Sequence, residues 1–92
     1  MRTVILNGSS IQSRAGLYDA LEALLGTPEW FGRNLDALHD ILLHEILPGG
    51  ELVVEIAEVD ALRQNLGRYA EGLLRMLSDV AAEDERLTVV VR

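Results

Sequence analysis

The chain has 92 residues, a 49% apolar composition, neither cysteine nor lysine, and a formal net charge of −7. These values suit one packed domain, argue against disorder, and exclude a disulfide framework, thiolate chemistry and a lysine Schiff base. The acidic excess is concentrated in residues 28–58, where seven carboxylates stand against Arg33 alone; such a patch repels nucleic acid, and it serves either solubility or the attraction of a basic protein.

Thr3, Val4 and Ile5 are β-branched and open the chain as a strand that Asn7-Gly8 ends. The apolar run Val4–Leu6 is too short for a signal-peptide core or a membrane span, so a cytoplasmic protein without a membrane partner is expected. Ser13 suits the N-cap of a helix in which Leu17, Ala20, Leu21, Leu24 and Leu25 keep helical spacing. Gly26 closes that helix, and Thr27-Pro28 prevents its continuation.

A loop with Trp30 and Phe31 side by side then leads to Asn34, a good N-cap. The helix after it places Leu35, Leu38 and Leu42 on one side, flanked by Ile41 and Ile46, with Asp36, Asp40 and His44 nearly opposite. Pro48-Gly49-Gly50 is the strongest turn in the chain. Glu51–Ile56 reads as a second strand, Leu52, Val54 and Ile56 on one face and Glu51 and Glu55 on the other. A short helix is expected around Asp60–Leu66, with Val59, Leu62 and Leu66 inward. After Gly67, Tyr69, Leu73, Met76, Leu77 and Val80 keep helical spacing to about Glu83. Leu87–Arg92 forms the last strand, Leu87, Val89 and Val91 alternating against Thr88 and Val90.

Successive strands are separated by helical connections, which favours parallel pairing, and right-handed crossovers in one direction put the helices on one side. The expected fold is therefore a two-layer α/β domain over residues 1–92. It has a three-stranded parallel sheet in the order 1-2-3, with about four helices packed on one face.

The chain offers little to catalysis. No glycine loop for phosphate is present, and Ser9-Ser10 lack the strained elbow of a nucleophilic serine. Asp36, Asp40 and His44 share a helix face, but three ligands on one exposed helix make a poor metal site, so neither metal nor cofactor is expected. Trp30 and Phe31 are adjacent, so only one can enter the core. An exposed tryptophan beside carboxylates has the make-up of a protein interface. His39 falls at the flank of the apolar face, a half-buried position that reads as structural rather than catalytic. Glu83-Asp84-Glu85 confront the negative end of a helix dipole, a repulsion that a basic partner would relieve, or that Arg86 and water would screen.

The stretch Pro28-Glu-Trp-Phe-Gly-Arg-Asn-Leu-Asp-Ala-Leu-His-Asp resembles the signature of the barstar family, Pro-Glu-Tyr-Tyr-Gly-x-Asn-Leu-Asp-Ala-Leu-Trp-Asp. The opening Val-Ile, Asn-Gly, the acidic second strand and the final Thr-Val-Val-Val fit as well, so the resemblance covers essentially the whole chain. It implies three parallel strands in a two-layer fold, and a monomeric intracellular inhibitor of a small, basic, secreted ribonuclease of the barnase type, with no nucleic-acid partner. Carried over by position, Asp40 would stand where an RNA phosphate sits, and Asp36 would pair with basic groups at the rim. Trp30 would pack on the nuclease's catalytic histidine, Asn34 would shape the loop, Asp79 would be a second acidic contact, and Glu83 would be peripheral. His39, Leu43 and His44 complete the implied contact set. The chain departs from the family at His39, where a tryptophan is usual, and at Glu45, where the family prototype has another, and its segment after the acidic helix is about two residues longer. These changes alter the edge of the surface while Asp36 and Asp40 remain. An acidic binding module with a basic partner other than a ribonuclease is the alternative.

Overall fold

In the computed structural model, which describes residues 2–92, the elements follow in the expected order. They are β1 (Arg2–Asn7), α1 (Arg14–Leu25), α2 (Leu35–Ile41), β2 (Leu52–Ala57), α3 (Val59–Leu66), α4 (Arg68–Glu83) and β3 (Leu87–Val91). The three strands are parallel in the order β1-β2-β3, with Val4 beside Val54 and Val54 beside Val89. Three parallel strands with helical crossovers and four α-helices give an α/β fold, as the alternation of segments requires.

Burial follows the period-2 and helical patterns. Val4, Leu6, Leu52, Val54 and Ile56 are buried from the sheet, and Leu17, Leu21, Leu38, Leu62, Leu73 and Val80 are buried from the helices. The opposite sheet face, with Thr3, Ile5 and Thr88, stays exposed, so the helices cover one side only. One expectation fails at the end of β3. Val91, read as an inward residue, is 48% exposed, whereas Leu87 is buried and Val89 half-buried. It lies at the end of an edge strand, paired on one side with Ile56, where the cover of the sheet runs out.

The caps explain the boundaries. Ser13 Oγ accepts from the Gly16 N–H at 3.0 Å, and Gly26, in the left-handed region at φ 66°, donates its N–H to Glu22 O. The α2 helix does not stop at Ile41. Its last part, Leu42–Ile46, takes π-helical hydrogen bonds and then a 3-10 turn over Leu47–Gly49. The wider turn lets Leu42 and Leu47, five positions apart, both bury fully.

Gly8 has a role that its turn signal does not reveal. A Cβ there would meet the Glu58 carbonyl oxygen at 2.3 Å and Leu62 Cβ at 2.9 Å, so the backbone after β1 lies directly against the start of α3. Asn65 donates its side-chain amide to the Gly8 and Ile11 carbonyls across the same contact. Gly8→Ala is expected to lower stability by about 1–3 kcal/mol, an overpacking cost against backbone that cannot yield. Urea unfolding checks this, and an unchanged midpoint would contradict the packing described.

Candidate protein-binding site

Phe31 decides the geometry of the acidic segment. It is 6% exposed and meets Tyr18 of α1 edge to face, ring centroids 5.7 Å apart. Tyr18 in turn shares a hydroxyl hydrogen bond with Tyr69 of α4. Burial, reinforced by that bond, pushes its phenol well above the ordinary range, so it stays neutral. With Phe31 inward, the adjacent Trp30 is turned out and is 70% exposed. Tyr18 was not singled out in the sequence, although it shares the helix face of Leu21 and Leu25.

Arg33 fastens the same loop from outside. Its backbone sits at φ 52°, a left-handed conformation that a non-glycine residue adopts only when its surroundings hold it there. The guanidinium donates to Ala15 O at 3.0 Å and Asp19 Oδ1 at 2.7 Å, and Glu22 lies at 3.4 Å. The sole cation of residues 28–58 therefore pairs with α1 and, among the described residues, forms no ion pair with the carboxylates of α2.

Asn34 begins α2 as expected, its side-chain oxygen accepting the Ala37 N–H at 2.8 Å while its amide donates to Gly32 O. Beyond the cap the predicted residues divide. Trp30, Asp40 and His44 line one groove of about 400 Å³, together with Gly32, Ala37, Ile41 and Glu45. Asp36 borders a different cleft of about 380 Å³ with Arg14, Arg33 and the two tyrosines, where Arg14 stacks on the Tyr69 ring at 4.2 Å. Leu43 is half-buried against the core. A larger hollow of about 460 Å³, near Arg2, Gly50 and Glu51, holds none of the predicted residues.

Asp40 is 72% exposed, and its one ion-pair neighbour among the described residues is His39, whose Nδ1 stands 3.5 Å away. His39 is half-buried as expected, and its Nε2 stands 3.6 Å from Glu83 Oε1 on α4. Asp79 is exposed one turn before Glu83 and enters no ion pair among the described residues. Asp36, Asp40, Asp79 and Glu83 thus all keep solvent-exposed carboxylates, with His39 between Asp40 and Glu83. Among the described residues, no group of three or more His, Cys, Asp or Glu side chains is arranged to hold a metal ion. No helix there is long and apolar enough to cross a membrane.

The acids at the end of α4 separate in the same way. Asp84 accepts from the Arg86 N–H at 3.0 Å and from its guanidinium at 2.7 Å. These hydrogen bonds, side chain first, lower its carboxyl from the ordinary carboxylate range to about 2. Asp84 is satisfied within the protein, whereas Glu83 reaches toward His39.

Comparison with known proteins shows the family. Residues 1–92 match the family described as Barstar (barnase inhibitor). The chain belongs to the barstar family. It is 32% identical over 84 residues to a Bacillus subtilis (strain 168) protein named "Putative ribonuclease inhibitor YrdF", covering 90% of this chain and 89% of that protein. Within this barstar-family chain, the exposed aromatic, the capped helix and the outward carboxylates occupy the stretch that carries the family signature.

Two predictions follow from the caps. Asn34→Ala is expected to cost about 1 kcal/mol and Asn34→Gly only a few tenths, measured by urea unfolding. Asp84 has a depressed folded pKa, so its pairing stabilises the fold above the unfolded carboxylate range, near 4, and that stabilisation is lost as pH falls to about 2. The gap in urea midpoint between the wild type and Asp84→Asn should hold at neutral pH and close on acidification; a gap independent of pH would contradict it.

Proposed function

We propose that this protein inhibits a small, basic, secreted ribonuclease of the barnase type by filling its active site, and that it catalyses nothing itself. Asp40 stands in for an RNA phosphate, Asp36 engages basic groups at the rim, and Trp30 stacks on the nuclease's catalytic residues. Asn34 holds the loop in shape, while His39, Leu43, His44, Asp79 and Glu83 complete the contact surface. The observation that carries this reading is the orientation of Arg33. It neutralises α1 carboxylates and leaves Asp36 and Asp40 without an arginine partner beside an exposed tryptophan.

Carboxylates held on a capped helix, already oriented and lacking internal counter-ions, give their binding energy to a cationic partner without first breaking a pair. Four surface carboxylates do not suit nucleic acid, and they do not suit an anionic membrane. The protein acts as a cytoplasmic monomer that keeps a secreted nuclease harmless before export. Glu45 in the Trp30 groove suits any basic partner, so the second reading is a basic protein that is not a ribonuclease. Recovery of such a partner through Trp30 and Asp40 would favour it.

The direct test is inhibition of RNA cleavage by a guanyl-preferring secreted ribonuclease of this type. Asp40→Ala is expected to weaken inhibition about thirtyfold or more, a hot-spot loss of about 2 kcal/mol, and Asp36→Ala less, with urea midpoints unchanged. Barnase and barstar are themselves the type example of interface hot spots and charge-steered association, and the figure given is the general threshold. Raising salt should slow association and change dissociation little. Undiminished inhibition by both variants would overturn the reading.

A further inference from the structure

His39 is placed between carboxylates of two helices: Nδ1 lies 3.5 Å from Asp40 on its own helix and Nε2 3.6 Å from Glu83 on α4. The other titratable groups along these faces are Asp36, one turn earlier on α2, and Asp79, one turn before Glu83; Arg75 lies a further turn back on α4. Asp40 and Glu83 are both well exposed, so each can meet a partner as well as the imidazole. No other basic side chain approaches either of them within ion-pair distance among the described residues.

We propose that His39 is a positioning residue under proton control. When neutral, it leaves Asp40 and Glu83 to a partner's cations, and when protonated it claims both as an internal counter-ion. The inference rests on the ribonuclease-inhibitor reading of this surface. A guanidinium or ammonium group docked on Asp40 would share its carboxylate with an imidazolium of like charge, so partner binding and protonation oppose each other. Linkage then gives the sign: affinity falls as pH falls through the range where histidine gains its proton. A tryptophan at this position, as in the family signature, has no proton to gain, so the effect belongs to this chain and not to the fold.

The test measures inhibition constants for the wild type, His39→Gln and Glu83→Gln against one guanyl-preferring secreted ribonuclease, at about pH 8 and about pH 5.5. Titration of the nuclease itself cancels in the ratio of wild type to variant at each pH. Between the two, the wild-type constant should rise about tenfold more than that of His39→Gln, the limit of one linked proton being tenfold per pH unit. Glu83→Gln, which removes one of the two carboxylates and keeps the histidine, should give an intermediate slope. Normal inhibition with equal slopes in all three proteins overturns this inference alone. Absence of inhibition by any of them at either pH overturns the ribonuclease reading and this inference with it.

Discussion

Burial of Phe31 against Tyr18 is the contact on which the outward placing of Trp30 depends, because two adjacent aromatic residues cannot both enter one core. Phe31 supplies the apolar anchor that ties the loop between α1 and α2 to the body of the protein, and Trp30 is left outward as a consequence. Tyr18 is held by its hydroxyl contact with Tyr69, so the position of the loop refers back to both α1 and α4. Arg33 adds an outer fastening and accepts a left-handed backbone to reach it. Its ion pairs are solvent-exposed and contribute little stability by themselves. Their effect is directional: they commit the Arg33 guanidinium to Asp19 and Glu22 of α1.

The acids of the protein differ in their internal partners. Acids with an internal partner, such as Asp84 with Arg86 and Glu71 with Arg63, are surface elements of the fold. Asp36 and Asp79 have no such partner among the described residues, and Asp40 and Glu83 have only a histidine. Asp36 and Asp40, one helical turn apart, border different clefts, so the acidic stripe presents two chemically distinct edges. One is bounded by tryptophan and Glu45, the other by arginine and tyrosine.

The π-helical stretch Leu42–Ile46 sets the far rim of the Trp30 groove. An α-helical continuation would place successive residues on a tighter spiral, whereas the wider turn buries Leu47 and still leaves His44 and Glu45 on the groove side. His39 stands where the family signature has its tryptophan, and Glu45, beyond the signature, stands where the family prototype has another. Both lie beside Asp40, one in its groove and one within ion-pair range.

By itself the sequence determined the elements, their parallel order and the inward faces, because hydrophobic period, caps and breakers are local properties. Ser13, Gly26 and Asn34 stand where their chemistry predicts, and so do the buried residues of α1, α2 and β2. It also marked Trp30, Asp36 and Asp40, since an aromatic pair and a carboxylate stripe are visible in spacing alone. Tertiary structure decided the rest. Nothing local reports that Arg33 points to Asp19, that His39 lies between Asp40 and Glu83, or that Gly8 is pressed against the Glu58 carbonyl. Nor does it report that Val91 runs past the cover of the sheet. Spacing fixes which face of one element a side chain occupies, whereas its partner on another element depends on how the elements pack, and that is a property of the whole chain.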